Sequence, residues 1–438
     1  MKAFLKGFVI AASVGVVILG VLFAWPYVGA YFRTAHSLGA PAMAPVRQKT
    51  KEELIAEALQ KSSNIKALYM TADVANDPGR GASALRDHII GLAKSTEING
   101  MVIDVKETCG PDYSEARLKV LLEELHKNNI WAIARIVTFK DASEREVHPE
   151  WYLSRRAPKP APDGCPNKHH LVAKTPAGAV APAGVRAILW QDNKGGYWMD
   201  PASEGVREYI AGFGKKMIDL GFDELQFDYV RFPSDGDVSS AVYPSWDKKT
   251  PKFAVMKSFF EFLNQNLKAY KPDIMLSADL FGYVASQGEE SSIGQRVADI
   301  GNSFDYVSFM VYPSHYYNGL ELPADPRNDL AAVNLTFAGA RTHPDIVVGR
   351  SLQVAHDFLN PIASSTATAT STHALLQSHA RLRPWLEDFF HEDDRINHRP
   401  YGVEKVRLQI DAAEKVEDHG WMLWNASNVY TDAALHPE

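Results

Sequence analysis

The chain reads as an α/β protein, a (β/α)8 TIM barrel with loop insertions, preceded by an N-terminal transmembrane or signal helix. Three observations predict the barrel. Eight short apolar stretches recur from residue 65 onward, amphipathic patterns separate them, and aspartates gather where several of the stretches end. Repeated strand–helix units predict a parallel sheet, and eight of them predict closure. A barrel of this type uses about 250 residues, more with insertions, and the 438 residues here leave room for both.

The first element is the N-terminal segment, residues 1–32. Lys2 and Lys6 precede an uncharged apolar run from Phe8 to about Tyr31. That run is long enough to span a bilayer as a helix, whereas a cleaved signal peptide has an apolar region of about 7–15 residues. A retained anchor is therefore expected, with Val28-Gly29-Ala30 as the alternative cleavage site. Positive charge before the span and a large domain after it predict an extracytoplasmic domain, periplasmic or extracellular. Residues 33–63 read as a linker that contains Ala40-Pro41-Ala42-Met43-Ala44-Pro45 and ends in a short helix. The barrel is expected over 64–438.

The eight predicted strands are 65–72, 99–105, 130–137, 223–230, 273–281, 304–312, 382–389 and 419–425. Most are rich in Val, Ile, Phe, Tyr and Leu, as parallel strands buried on both faces tend to be. Helical patterns fall at 83–96, 114–129, 203–220, 251–270, 327–342 and 403–418. In the second of these, Leu118, Leu121, Leu122 and Leu125 mark one buried face. Two stretches break the rhythm, 154–190 and 345–380, and both read as loop insertions. The second holds a strand-like run, Ile346-Val347-Val348-Gly349-Arg350, which competes with 382–389 for the place of strand seven. The two cysteines, Cys109 and Cys165, fall in predicted loops on one barrel face, and an oxidising compartment would let them pair.

Composition narrows the function. A formal charge of −7 argues against a nucleic-acid partner. No Gly-x-Gly-x-x-Gly or phosphate-loop signature, no His-Glu-x-x-His zinc motif and no Gly-x-Ser-x-Gly elbow occurs. Neither a metal nor another cofactor is therefore expected.

Catalytic groups of such barrels sit at the C-terminal strand ends. Asp104, Asp228, Asp279 and Asp388 stand at the ends of predicted strands two, four, five and seven, and Asp73 follows strand one. Gathered acids suit glycoside hydrolysis, which needs one carboxyl to protonate the leaving oxygen and another to attack or to activate water. Crowding pushes one pKa up, so acid and carboxylate can coexist. Asp228 and Asp279 are the candidate catalytic pair, Asp279 as the acid. The alternatives are a structural ion pair of Asp228 with Arg231 or Arg135 and a helix-capping role for Asp279. Asp104 and Asp388 are expected to support the pair or bind substrate hydroxyls, with either one as the alternative to Asp279. Arg135 and Arg231 are expected to orient a carboxylate or hold an acidic sugar. Trp198, Tyr229, Tyr312, Trp385 and Trp424 are candidate sugar-stacking rings, with core packing as the alternative.

The chain also resembles a bacterial family of TIM-barrel domains labelled as glycoside hydrolases but of otherwise unknown function. The resemblance is carried by Ile103-Asp104-Val105-Lys106, Ala134-Arg135-Ile136-Val137 and Tyr197-Trp198-Met199-Asp200-Pro201. It continues through Phe227-Asp228-Tyr229-Val230-Arg231-Phe232-Pro233, Ser277-Ala278-Asp279-Leu280-Phe281-Gly282, Met310-Val311-Tyr312-Pro313-Ser314-His315-Tyr316, Arg383-Pro384-Trp385-Leu386 and Gly420-Trp421-Met422-Leu423-Trp424. It runs over roughly residues 65–432 in order, and it implies the barrel and a sugar substrate. The expected partner is a polysaccharide of the cell envelope or the exterior. A barrel that only binds a glycan or builds the envelope is the competing reading, because fold alone does not settle function.

Overall fold

The computed structural model describes residues 47, 49–156, 164–165, 188–360, 380–389, 391, 401–417 and 419–437. The predicted anchor at 1–32, and the Pro-rich run at 40–45, lie outside them. Among the described residues, no helix is long and apolar enough to cross a membrane. The compact unit of the barrel is Lys51–Glu438.

Eight parallel strands close on themselves. They are β1 (Ile65–Met70), β2 (Gly100–Glu107), β3 (Trp131–Val137), β4 (Glu224–Asp228), β5 (Met275–Phe281) and β6 (Tyr306–Met310). The ring is completed by β7, made of Arg381–Leu382 and Trp385–Glu387, and β8 (Gly420–Trp424). Each strand pairs with the next, and β8 pairs back to β1, with Ile65 opposite Gly420 and Leu68 opposite Leu423. Pro384, which has no N–H to give, interrupts β7. Trp385 then resumes the pairing, opposite Met310 of β6 and Met422 of β8.

The helices of the repeat are α1 (Lys51–Lys61), α2 (Arg80–Ser95), α3 (Glu115–Lys127), α4 (Glu204–Leu220), α5 (Lys252–Tyr270), α6 (Gly282–Gln287), α7 (Pro344–Leu359) and α8 (Val403–Val416). Helix α3 buries Leu118, Leu121, Leu122 and Leu125, the face its spacing predicts. Helix α1, in the predicted linker, packs Ala58 against Met275 and Tyr306 under the barrel. There the Ser62 hydroxyl lies 2.8 Å from that of Tyr306.

Two sequence expectations need correction. The run Ile346-Val347-Val348-Gly349-Arg350 is not a strand but part of α7. Pro344 opens that helix, and it buries Val347, Val348, Ser351, Leu352, Ala355 and Leu359. These positions follow a helical rather than a two-residue repeat, so a run of β-branched residues misled. Strand seven is therefore the 382–389 candidate. The predicted helix over 327–342 is confined to Phe337–Thr342, because Leu320–Leu322 and Val333–Leu335 pair as an antiparallel hairpin before it.

Strand alternation sorts the side chains into two cores. Leu225, Phe227, Leu276, Ala278, Leu280, Val307 and Phe309 belong to the large cluster between strands and helices. The barrel axis holds the alternate residues and is unusually polar. Near its N-terminal end Arg383 pairs with Glu224, 2.8 Å away, and lies 3.6 Å from the Tyr306 ring centre. One layer up, the Gln226 amide donates to Ser308 Oγ at 3.3 Å. The acids of β2, β4 and β5 form the uppermost layer.

Candidate active site

The strand repeat that buries Glu224 and Gln226 carries Asp228 to the mouth, two residues further on. By the same step Ser277 leads to Asp279 on β5. Arg135, on β3, stands beside Asp104 of β2 in the pairing register. Its Nη1 donates to Asp104 Oδ1 at 2.5 Å, its Nη2 donates to Asp228 Oδ2, and its Nε lies 3.8 Å from Asp279 Oδ2. One guanidinium thus gathers all three acids at the C-terminal end of the barrel.

The three carboxyls differ in what else they touch. Asp104 accepts from the Tyr69 hydroxyl as well as from Arg135. Burial raises its pKa to about 6, against the pull of Arg135. Asp228 accepts the Tyr229 backbone N–H at 2.5 Å. Tyr229 sits at φ +52°, the left-handed region that a side chain rarely adopts, and the strand ends there. Among the described residues, Asp279 accepts one hydrogen bond, from the Trp385 indole N–H to Oδ1, 2.9 Å away. Its Oδ2 is buried with no hydrogen-bond partner among the described residues. Burial, and then repulsion from Asp228, push the Asp279 carboxyl well above the usual range. Such a pair, one carboxyl held by a cation and its neighbour driven toward the protonated form, can divide acid and base roles.

Above the acids lies a cavity of about 480 Å3. Asp228, Asp279, Arg135, Tyr229, Arg231, Tyr312, Trp385 and Trp424 line it, as do Phe281, Tyr283, His315, Tyr316, Tyr317 and Lys194. Trp424 stacks on Tyr312 with centroids 5.8 Å apart, and both rings meet Phe389. Tyr317 is 68% exposed and stacks on His315, which makes it an open aromatic platform. Among the described residues, no group of three His, Cys, Asp or Glu is arranged to hold a metal ion. Between the three acids the positive charge is the guanidinium of Arg135. His169 and His170 lie outside the described residues.

Three candidates stand away from the cavity lining. Trp198 is buried behind Tyr229 and Arg231, its indole N–H on Asp192 at 2.9 Å, and it does not line the cavity. Asp388 accepts from the backbone N–H of Thr431 at 2.7 Å and from its hydroxyl at 2.6 Å, tying the segment after β8 to the end of β7. Asp104 does not line the cavity and meets its lining at Arg135. Arg231 is not the ion-pair partner of Asp228; Arg135 is. Cys109 and Cys165 are joined as a disulfide, with Cα atoms 5.6 Å apart.

The residues missed by sequence reasoning are Lys194, Phe281, Tyr283, His315, Tyr316 and Tyr317. A signal was available for several of them. Phe281 and the His315-Tyr316 pair stand inside the segments that carry the family resemblance, just past strand ends, where the same rule had selected Asp279 and Tyr312.

The fold and this mouth define the class: a TIM barrel with an acid cluster and an aromatic cavity at the C-terminal ends of its strands. Within that class, the family described as "Putative glycosyl hydrolase domain" matches residues 67–162 and 168–430, and the chain belongs to it. Among solved structures, the chain is similar to the glycoside hydrolase domain of PgaB (BpsB) from Bordetella bronchiseptica. The TM-score is 0.50 at 10% identity, over 83% of this chain and 95% of that one, a likeness of fold. A hypothetical protein from Ruminiclostridium thermocellum is 25% identical over 48% of this chain and 96% of its own, with a TM-score of 0.35. No curated protein sequence matches the chain.

Proposed function

We propose that the protein is a glycoside hydrolase of a cell-envelope or extracellular polysaccharide, with Asp279 as proton donor and Asp228 as the carboxylate that attacks the anomeric carbon or activates water. The observation that carries this reading is the unequal setting of two carboxyls in one cavity. Asp228 is met by a permanent cation and a backbone N–H. Asp279 is driven toward its protonated form and keeps one oxygen unbonded. A glycosidic oxygen needs a proton from a protonated carboxyl, the role given to Asp279, and the anomeric carbon needs a carboxylate on its other side, the role given to Asp228. The half-buried ring of Trp424 and the exposed ring of Tyr317 offer apolar faces for the C–H side of a sugar, backed by the buried rings of Tyr312 and Trp385. The matching family and its hydrolase description support the same class.

A barrel that only holds a glycan is the competing reading, and the shared guanidinium of Arg135 favours it, since such a network can be purely structural. A glycan panel with released-sugar detection separates the two. The native chain is expected to release sugar from at least one polymer, and Asp228→Asn to slow release by roughly 10²–10⁴-fold. Undiminished turnover by Asp228→Asn would remove that residue from catalysis. Retention of a glycan without release would leave a binding protein.

The proposal extends to location. The uncharged run from Phe8 to Tyr31 and the Cys109–Cys165 disulfide both fit a domain held outside the cytoplasm by a retained anchor. Mass spectrometry of the mature N-terminus tests this; a chain beginning after Ala30 would exclude the anchor.

A further inference from the structure

We propose that the cavity takes an acidic sugar, and that Arg231, assisted by Lys194, binds the carboxylate of that sugar. The inference rests on the hydrolase reading above and names its substrate class.

Three buried cations around the mouth are met by carboxylates. Arg135 holds Asp104 and Asp228, Lys140 holds Asp192 at 2.7 Å, and Lys106 holds Asp141 at 2.7 Å. Arg231 meets no carboxylate among the described residues. It is only 8% exposed, yet its hydrogen bonds run from Nη1 alone, to the Phe232 carbonyl at 3.0 Å and Ser234 Oγ at 3.2 Å. No acceptor among the described residues meets Nε or Nη2, and neither atom is among the sealed, orphaned polar atoms of the interior. Arg231 lines the cavity, and under the proposal that edge is turned toward it.

The guanidinium plane is also fixed. Its carbon lies 4.8 Å from the Trp198 ring centre, 4.6 Å from Phe281 and 5.2 Å from Tyr229. Clamped by rings and pinned at Nη1, the group presents two parallel N–H vectors in one direction. This geometry matches the two oxygens of a carboxylate, and an ammonium cannot reproduce it. Burial pulls the Arg231 pKa below its ordinary value, and nearby acids act on it only from a distance; a bound anion would offset that cost. Lys194 lines the same cavity, and its side chain meets no carboxylate among the described residues. It adds a second positive charge at the mouth, which attracts an anionic glycan as it approaches.

The test is titration calorimetry and initial rates with oligoglucuronate, a neutral gluco-oligosaccharide of equal length, and its 6-sulfated form. Native protein, Arg231→Met, Arg231→Lys and Lys194→Ala are compared at low and high salt. The native chain is expected to prefer the uronate over the neutral oligomer by roughly 10–100-fold, the range of a charge-assisted bidentate contact. Arg231→Met should erase that preference. Arg231→Lys should restore only part of it, with a steeper loss in salt. Lys194→Ala should weaken uronate capture a few-fold, chiefly at low salt. If Arg231→Met does not fold, the Lys variants carry the same comparison. Equal affinity for uronate and neutral oligomer in the native chain overturns the inference, as does a preference that survives in Arg231→Met. Binding of the sulfated oligomer without the uronate also overturns it. Hydrolysis of neutral glycans with no response to uronate would sink the subsite alone, whereas no binding or cleavage of any glycan would sink the hydrolase reading with it.

Discussion

At the scale of single residues, Arg135 is the hinge of the site. It offsets two buried carboxylates and approaches a third, so its removal strands like charges in a low-dielectric pocket. Breaking a buried pair by deleting one partner costs about 3–5 kcal/mol, and Arg135→Met is expected to lose that much in urea unfolding. A loss below about 1 kcal/mol would mean the acids are better solvated than the geometry implies. Asp279 makes a second prediction. Its folded pKa is raised, so its proton is present at low pH and leaves as pH rises through that raised value. Under the hydrolase reading kcat/KM therefore falls on the alkaline side as Asp279 ionises. Asp279→Asn should abolish that limb and lose roughly 10²–10⁴-fold on ordinary glycosides. It should lose far less on aryl glycosides, whose leaving group needs no proton. An alkaline limb that persists in the variant assigns the acid elsewhere. Sequence gave these residues through position alone: strand-end acids could be named, but which one kept a free oxygen depended on Trp385 and Arg135 arriving from other strands.

At the scale of elements, β8 and its following segment lock the ring. Gly420 opens β8 at φ +87°, and a Cβ there would lie 2.0 Å from the Ile65 carbonyl oxygen. Gly420→Ala is expected to cost about 2–4 kcal/mol by strain and by separating β8 from β1, seen as a lower midpoint in denaturant. Asp388 ties the segment after β8 to β7, and burial raises its pKa to about 6. Because its folded pKa lies above the unfolded one, the native state takes up the proton more readily. Stability from this group is therefore fullest below pH 4 and falls as pH rises to 6. Relative to Asp388→Asn, which cannot titrate, the native chain should lose roughly 2–3 kcal/mol across that window. A gap independent of pH would show that Asp388 titrates normally. Elements were largely legible in the sequence. All eight strands were read within a few residues, since each is a short apolar run bounded by turns. Helix α7 was not, because a β-branched cluster satisfies both periods until its buried face is known.

At the scale of the whole molecule, the barrel closes by strand pairing and core packing and is stapled by a disulfide. The Cys109–Cys165 bond spans 56 residues of sequence. Cross-links of this kind contribute about 2–4 kcal/mol, mainly by restricting the unfolded chain. Cys109→Ser with Cys165→Ser is expected to lower the unfolding free energy by that amount and to leave the cavity open to ligand. Unchanged stability would mean the bond does not form in solution.

Local patterns along the chain were enough to place the eight strands and most helices in order, to predict the ring they form, and to name the end of that ring at which the acids gather. These follow from local periodicity and from the fixed direction of side chains along a strand, both properties of neighbouring residues. Tertiary structure decided which acids share a guanidinium, that Asp388 and Trp198 support the site from outside the cavity, and that Arg231 keeps an unmet edge. Those outcomes depend on contacts between residues tens to hundreds of positions apart, and no local pattern encodes which distant partner will satisfy a buried charge.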